Sequence, residues 1–286
     1  MYYDRKKKRT VNYGEHKQGM VEFLYKTIPG RIMLKTCLAR PWFSKLAGVY
    51  YNSKLSQKDI APFISSNYVN MYGSTVADYN TFNEFFTRKN TKLVVDENRE
   101  HLIAVADSKL SCYDIDDNLV LHIKNSTYSV ADLIGSKQLA KSFAGGKCLV
   151  FRLSVNDNHR YIYCDSGNCA ARKVIKGELH TVRAISEKYN VFSRNCREVM
   201  LLDMDNLGRV GWIEVGALLV GKIINHKKPS FVRGEEKGYF EFGGSTIILL
   251  VKKEIEIDED IVRANAEGLE AQVMAGERIG IICSKD

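Results

Sequence analysis

The chain has 286 residues, of which 45% are apolar and 27% are charged, with a formal net charge of +8, a balance ordinary for a globular protein. Its apolar runs are shorter than the roughly 18 residues that span a bilayer, and no apolar segment follows the charged N-terminus as in a secretory signal. The seven Cys are scattered without a Cys-x-x-Cys pair and no His stands at metal-ligand spacing, so we expect no disulfide framework, no metal site and a reducing compartment.

Positive charge is concentrated at the start of the chain. The first 60 residues hold thirteen Lys and Arg against four Asp and Glu, a net of +9, and since the whole chain carries +8 the remainder carries −1. A basic arm with apolar and aromatic residues at helical spacing is typical of a segment on an anionic membrane surface. An ordinary surface helix pair is the alternative, and the neutral remainder disfavours nucleic acid as a partner. The apolar positions are Met20, Phe23, Leu24, Ile32, Met33, Leu34, Leu38, Trp42, Phe43 and Leu46.

Helices are predicted over residues 21 to about 72. Breaks are expected near Pro29 and Pro41, because proline and glycine interrupt a helical pattern. One helix is predicted to begin at Ser56, which we interpret as its N-cap. The next, in "NTFNEFFTRKN" at residues 80–90, spaces its three Phe as a helix would.

From Leu102 onward the pattern changes to short strands separated by Gly, Asn, Asp and Ser turns. One helix is predicted to interrupt them at residues 129–143, with Ser129 as its cap. We therefore predict an α+β protein. Residues 1–100 would form a helical, basic, membrane-facing lobe, and residues 101–286 a β-rich catalytic body resembling a barrel or sandwich.

Three polar residues stand at the ends of predicted strands, where a rigid scaffold positions catalytic groups. Asp107 ends one apolar strand, His159 follows a polar run after another, and Ser245 comes directly after the pair Gly243-Gly244. An Asp, a His and a Ser in such places can form an orienting group, a base and a nucleophile. A turn-forming Asp, a solvated loop His and a β-bulge at the glycines are the structural alternatives.

Four stretches resemble the phosphatidylserine decarboxylase family, in the family's order and across nearly the whole chain. They are "TFNEFFTRKN" (81–90), "FRLSVNDNHRYIYCDSG" (151–167), "EVGALLVGKI" (214–223) and "KGYFEFGGSTIILL" (237–250). The resemblance is to the bacterial, pyruvoyl-dependent proenzyme.

The resemblance implies that the chain cuts itself between Gly244 and Ser245. The Ser245 hydroxyl would attack the Gly244 carbonyl, and the serine would end as a covalent pyruvoyl cofactor. The products would be a β chain, residues 1–244, and an α chain, residues 245–286, that remain associated. Glycine suits the position before the serine because a side chain there would obstruct the carbonyl.

The resemblance also assigns a base. Asp107 stands at the family's Pro-Ala-Asp-Gly motif, although Val105 and Ser108 differ from the usual flanks. His159 stands at the first His of the family's His-Arg-x-His pattern, and Ile162 replaces the second. We therefore assign His159 as the base, paired with Asp107. His180 matches a recurrent family position and is interpreted as structural.

The implied reaction is decarboxylation of phosphatidylserine to phosphatidylethanolamine and CO₂, a carboxy-lyase activity in which the pyruvoyl group carries the difficult chemistry. A lipid substrate would give the basic arm a docking role. We therefore expect a peripheral enzyme on the cytoplasmic side of the cell membrane, with a homodimer left open. Two other functions are considered: a homologue that does not mature and only binds lipid surfaces, and a pyruvoyl enzyme acting on a soluble amino acid.

Overall fold

The computed structural model describes residues 1–12, 18–39, 41–123, 126–180, 190–217, 222–243 and 245–283. The α-helices in these ranges are α1 (Gln18–Lys26), α2 (Ile28–Met33), α3 (Pro41–Tyr51), α4 (Ile60–Asn67), α5 (Phe82–Phe86), α6 (Val130–Ile134), α7 (Lys137–Lys141), α8 (Val191–Arg194) and α9 (Glu259–Ala266). A π-helical turn follows α2 at Leu34–Leu38, and 3₁₀ turns occupy Lys54–Asp59 and Val76–Asp78.

Short strands occur before, between and after these helices along the chain. They are β1 (Tyr2–Asp4), β2 (Arg9–Val11), β3 (His101–Ile103), β4 (Ser108–Asp114), β5 (Val120–Ile123), β6 (Ser126–Ser129), β7 (Lys147–Leu153), β8 (Arg160–Ile162), β9 (Gly167–Ile175), β10 (Arg197–Met204), β11 (Gly208–Gly216), β12 (Ile223–Asn225), β13 (Ser230–Phe231), β14 (Glu236–Phe240), β15 (Ser245–Val251), β16 (Ile255–Ile257), β17 (Glu270–Val273) and β18 (Arg278–Ile282).

A large mixed sheet forms the centre of the described chain. Its ten strands follow the order β13-β9-β10-β11-β15-β7-β4-β17-β1-β2. Strand β15 lies between β11 and β7, antiparallel to both, and all seven of its residues are buried. A strand covered on both faces needs apolar side chains at successive positions, which explains the unbroken aliphatic run after Thr246.

The α+β class is confirmed, but the strands form no closed barrel within the described ranges. The main sheet stays open because β13 and β2 form two separate edges. Three smaller sheets accompany it: β12-β14-β8, β16-β18-β3 and the hairpin β5-β6. Strand spacing alone indicates many short strands, and it does not distinguish a closed sheet from stacked open ones.

The N-terminus belongs to the main sheet. Strand β1 pairs in parallel with β17 and antiparallel with β2. Arg5, directly after β1, forms ion pairs of 2.7–3.1 Å with Asp258, Asp260 and Glu277, which binds this end to the C-terminal part of the chain. The helical segment therefore begins at Gln18 and not at residue 1. The division of the chain at residue 100 remains a prediction.

The expected helix breaks are confirmed, and one predicted cap is wrong. Helix α2 starts at Ile28 after Thr27, which accepts a hydrogen bond from the Gly30 N–H, and α3 starts at Pro41. Ser56 is not an N-cap. It lies inside the 3₁₀ turn, where its Oγ donates to the Ser53 carbonyl at 2.7 Å and accepts from the Phe82 N–H at 2.9 Å.

The cap predicted at Ser129 is confirmed. Its Oγ accepts from the Ala131 N–H at 3.1 Å at the start of α6. The predicted single helix is divided into α6 and α7, because Gly135 adopts φ +71° and ends the first one.

A buried ion pair joins the main sheet to the sheet β12-β14-β8. Lys237 of β14 and Glu214 of β11 are both fully buried and in direct contact. Asn225 completes the pair, since its Oδ1 accepts from Lys237 at 2.7 Å and its Nδ2 donates to Glu214 at 2.7 Å. A buried pair of this kind is costly to separate, so it fixes β14 against the central strands.

Candidate active site

Ser245 is the first residue of β15 and follows a crossing between two sheets. Strand β14 belongs to the sheet β12-β14-β8, whereas β15 is central in the main sheet. Residues 241–243, which we call the crossing segment, lead from one sheet towards the other. The chain therefore changes sheet between β14 and β15, and the two strands are not one strand interrupted by a bulge. Gly243 has φ +136°, a conformation that essentially only glycine adopts, while Gly244 lies outside the described residues.

The chain that leads into Ser245 is held at three consecutive residues. Each N–H donates a hydrogen bond of 3.0 Å to a different part of the fold. The pairs are Phe240 N–H to the His159 carbonyl, Glu241 N–H to the Lys222 carbonyl, and Phe242 N–H to Asn83 Oδ1. On the other side, Ser245 pairs with Gly216 and Leu153 in the main sheet. The backbone is thus fixed on both sides of the bond that precedes Ser245, which supplies the orientation an intramolecular attack needs.

The side chain of Phe242 is held in an aromatic cluster from the helical segment. Its ring centroid lies 4.3 Å from that of Tyr51, 5.0 Å from Phe82 and 5.1 Å from Phe86. Helix α5 presents the two phenylalanines because Thr81 caps it, accepting from the Glu84 N–H at 3.1 Å. The "TFNEFF" stretch therefore holds Phe242, two positions before Gly244, through aromatic contacts.

The Ser245 side chain is fully buried. Among the described residues its Oγ has no hydrogen-bond partner. Leaving a buried hydroxyl unpaired costs about 1–3 kcal/mol, so native proteins rarely do so without a reason. An unpaired hydroxyl at this position suits a group that takes part in a reaction.

His159 is also fully buried and is held in one tautomer. Its Nδ1–H donates to the Asp157 carbonyl at 3.1 Å, which leaves Nε2 as the acceptor nitrogen. In the described part of the chain Nε2 has no partner. The imidazole ring packs against Phe86, with centroids 4.1 Å apart.

The electrostatics keep this imidazole neutral. Burial lowers the pKa of His159 to about 3, and the nearby Arg88 cation acts in the same direction. The Asp157 carbonyl, which is hydrogen-bonded to Nδ1, opposes this shift of the His159 pKa. The Phe86 ring contacts both the imidazole and Phe242, which places the imidazole near the crossing segment. A neutral imidazole with a free Nε2 lone pair can accept a proton.

Hydrogen bonds to Asp157 and Asn158 stabilise the loop that carries His159. The Asp157 carboxylate accepts two hydrogen bonds of 2.8 Å from the buried Lys109 and one of 2.7 Å from the Ser154 N–H. The Asn158 side chain donates to the Arg88 carbonyl at 3.0 Å. These contacts fix the Asp157 carbonyl that orients the imidazole. Lys109 was not predicted from the sequence, because Ser108–Asp114 mixes polar and apolar residues and a lysine there resembles an exposed strand position.

Asp107 lies near the same loop, and its described hydrogen bonds go to groups other than His159; the pairing of Asp107 with His159 remains a prediction. Its carboxylate accepts hydrogen bonds from the Tyr72 hydroxyl and from the Ala275 N–H, the latter at 2.8 Å. Burial raises the pKa of Asp107, and these two hydrogen bonds oppose the rise. In the described contacts Asp107 does not touch the imidazole, whose orienting group is the Asp157 carbonyl. Tyr72 was also missed. Its φ of +52° is unusual for an aromatic residue.

The two remaining residues of interest lie in structural settings. Ile162, at the position of the second family histidine, is buried in β8, and its N–H donates to the Val105 carbonyl at 2.9 Å. His180 contacts Glu178 through Nε2 at 3.1 Å and the Tyr25 hydroxyl through Nδ1 at 3.4 Å. Burial lowers the pKa of His180.

Comparison with known proteins shows to which family the chain belongs. The model of the phosphatidylserine decarboxylase family matches residues 82–281. The chain is 47% identical over 270 residues to phosphatidylserine decarboxylase proenzyme 2 of Clostridium acetobutylicum, covering 93% of each chain. It is 40% identical over 271 residues to the phosphatidylserine decarboxylase proenzyme of Ruminiclostridium cellulolyticum (91% of this chain, 90% of the relative). It is 37% identical over 290 residues to that of Clostridium kluyveri, covering 98% of each. The chain therefore belongs to the phosphatidylserine decarboxylase family.

Proposed function

We propose that the chain is a proenzyme that cuts itself between Gly244 and Ser245 and then decarboxylates phosphatidylserine to phosphatidylethanolamine and CO₂. The observation that carries the proposal is the buried Oγ of Ser245 at the start of the central strand, which has no hydrogen-bond partner among the described residues. The His159 ring, with an unpaired Nε2 among the described atoms, packs against Phe86, which also contacts Phe242 in the segment that leads into that serine. Family membership supports the same reaction.

The maturation chemistry follows from these groups. Nε2 of His159 accepts the hydroxyl proton while Oγ bonds to the carbonyl carbon of residue 244. The carbon–nitrogen bond then breaks, the Ser245 amine leaves with a proton, and an ester joins the two chains. Loss of the Ser245 Cα proton expels the carboxylate of the upstream chain. The dehydroalanine that remains takes up water and releases ammonia, which leaves a pyruvoyl group.

The surroundings of Ser245 fit a group that forms in place. The residue is buried between β11 and β7, so the new N-terminus would be held without entry of a free cofactor. When present, a pyruvoyl group supplies an electron-withdrawing carbonyl for decarboxylation. The seven residues of β15 pair with both neighbouring strands, and these hydrogen bonds would keep the α chain associated with the β chain after the cut.

Replacement of Ser245 tests the proposal. Denaturing electrophoresis of the wild type should give two bands, whereas Ser245→Ala should stay intact and release no CO₂ from phosphatidylserine. Ser44→Ala is the matched control, because Ser44 also carries a buried Oγ without a partner in the described chain but lies in α3. Normal CO₂ release by Ser245→Ala would overturn the proposal. An uncut wild type without activity would instead support the lipid-binding homologue.

We also propose that the helical segment docks the enzyme on an anionic membrane. None of the described helices is long and apolar enough to cross a bilayer. Ile28 and Ile32, one turn apart on α2, are 68% and 59% exposed. Trp42, Leu46 and Val49, at helical spacing on α3, are 51%, 61% and 72% exposed. Exposed apolar rows beside basic side chains fit insertion into a headgroup layer.

The two tryptophans make docking measurable. Trp212 is fully buried, so a change of fluorescence on adding vesicles reports Trp42. Vesicles containing phosphatidylserine should shift the emission to the blue, and brominated lipid should quench it. The pair Trp42→Ala and Leu46→Ser should abolish sedimentation with vesicles, whereas Val174→Ser, on exposed β9, should not. Full vesicle binding by the double variant would contradict docking through α3, and turnover that is unchanged when vesicle binding is lost would favour a soluble substrate.

A further inference from the structure

Unpaired buried side-chain atoms are concentrated around the crossing segment. Seven such atoms occur in the described residues. Two of them, Ser245 Oγ and His159 Nε2, are assigned above. A third, Nδ2 of Asn83, has no role in the reaction as derived so far. Because native folds rarely leave buried donors unpaired, this amide requires an explanation.

The orientation of the Asn83 amide is settled by its own contact. Its oxygen accepts the Phe242 N–H at 3.0 Å, and only an oxygen can accept from an N–H. The other atom is therefore the NH₂ group. The side chain belongs to a residue that is 4% exposed, so this donor does not face open solvent.

Asn83 and His159 both contact the chain that leads into Ser245, Asn83 through the Phe242 N–H and His159 through the Phe240 N–H. Asn83 and Phe86 are three residues apart on α5 and therefore share a helix face. Phe86 packs against both Phe242 and His159. The nitrogen of Ser245, to which the reacting carbonyl carbon is bonded, follows the Phe242 nitrogen that Asn83 holds by three residues, each of which spans at most about 3.5 Å.

We propose that the Asn83 NH₂ group donates a hydrogen bond to the oxyanion that forms on the carbonyl before Ser245 during self-cleavage. The inference rests on the proposed self-cleavage. Attack by Oγ converts that carbonyl oxygen into an alkoxide inside a buried site, where a fixed neutral donor stabilises the new charge strongly. Arg88, a buried cation whose field acts on His159, directs its nitrogens to backbone carbonyls of Asn70, Phe85 and Asn156. Asn83 would thus anchor Phe242 with its oxygen and stabilise the oxyanion with its nitrogen.

The substitution Asn83→Asp separates the anchoring of Phe242 from the stabilisation of the oxyanion. The carboxylate keeps an oxygen to accept the Phe242 N–H, and it loses the donor. Precursor labelled by cell-free translation and followed by denaturing electrophoresis should be cut about 100- to 1000-fold more slowly than wild type at pH 8. Asn90→Asp is the matched control, because the Asn90 Oδ1 also accepts a backbone hydrogen bond, from the Lys92 N–H at 2.9 Å, but lies in the loop after α5. It should be cut at the wild-type rate.

The cleavage rate at low pH is a second measurement, and it would not change if Asn83 only anchored Phe242. Burial raises the pKa of a carboxyl at position 83, so protonation towards pH 5 restores an O–H donor. Cleavage of Asn83→Asp should therefore accelerate at least tenfold from pH 8 to pH 5, which also shows that the variant is folded. Glu84, Glu241, Asp107 and His159 are present in both proteins, so the wild-type profile, measured in parallel, is the reference.

The outcomes distinguish this inference from the proposed function. A wild-type precursor that is never cut would refute self-cleavage itself. Cleavage of Asn83→Asp at the wild-type rate at pH 8 would leave Asn83 as an anchor only and overturn the inference. A slow variant that shows no recovery at pH 5 would also overturn it.

Discussion

Self-cleavage should be nearly independent of pH between 8 and 5, because His159 is neutral throughout that range. Its pKa is lowered to about 3 by burial. At pH 5 essentially every His159 in the folded precursor then remains unprotonated. With the ordinary pKa of about 6.5 only about 3% of the imidazole would be neutral, and cleavage would slow about thirtyfold. We expect a change of less than about twofold.

The same shift makes the fold sensitive to acid. The pKa of His159 is lower in the folded chain than in the unfolded chain, so the unfolded state binds more protons between pH 6.5 and 3. Stability is complete above pH 6.5 and falls as the pH falls through that window. At pH 5 the loss is about 2 kcal/mol, from 1.36 kcal/mol per pH unit over about 1.5 units.

Both effects can be measured with one set of proteins. Pulse-labelled wild-type precursor, shifted to buffers from pH 8 to 5, gives the rate of cleavage. Urea unfolding of the Ser245→Ala precursor, with and without His159→Gln, gives the acid-dependent stability. The glutamine should remove about 2 kcal/mol of the difference between pH 7 and pH 5. A rate that falls thirtyfold by pH 5, with no effect of the glutamine on acid stability, would refute the buried neutral imidazole.

Three further substitutions test the surroundings of the site. Gly243→Ala places a side chain at φ +136°, a backbone strain of about 1–3 kcal/mol, and should slow cleavage at least tenfold in a pulse-chase. A wild-type rate would contradict the role of that conformation. Lys237→Met leaves Glu214 buried without its cation and should lower the urea stability of uncut precursor by about 3–5 kcal/mol, whereas adding Glu214→Leu should recover most of it; equal loss in both would contradict the pair. Tyr72→Phe removes a hydrogen bond from buried Asp107 and should cost about 1–3 kcal/mol by thermal unfolding, so unchanged stability would count against that contact.

The sequence predicted the elements that depend on local pattern. The helix of "TFNEFF", the breaks before Pro29 and at Pro41, and the cap at Ser129 all follow from spacing and capping chemistry within a few residues. The strand after Ser245 followed in the same way, since five successive aliphatic residues need cover on both faces.

The parts that sequence did not predict depend on contacts between distant residues. Strand β1 joins the sheet because it meets β17, about 270 residues away, and nothing local to Tyr2–Asp4 indicates that partner. The Gly-Gly pair resembled a bulge because periodicity does not show that β14 and β15 belong to different sheets.

The site shows the same limit. Asp107 and His159 were predicted as a pair, and the residues that contact each of them, Tyr72 and Asp157, come from a helical-segment loop and from the histidine's own loop. Asn83 was hidden within a motif in which the phenylalanines carried the pattern. Its significance depends on one hydrogen bond to Phe242, 159 residues later.

The intact mass of the purified protein under denaturing conditions tests the central claim most directly. Two polypeptides are expected, residues 1–244 and residues 245–286. The small one should be lighter than a serine-initiated chain by one ammonia and should gain two hydrogens on reduction with borohydride. A single full-length polypeptide that still decarboxylates phosphatidylserine, or a small chain that begins with an intact serine, would contradict it.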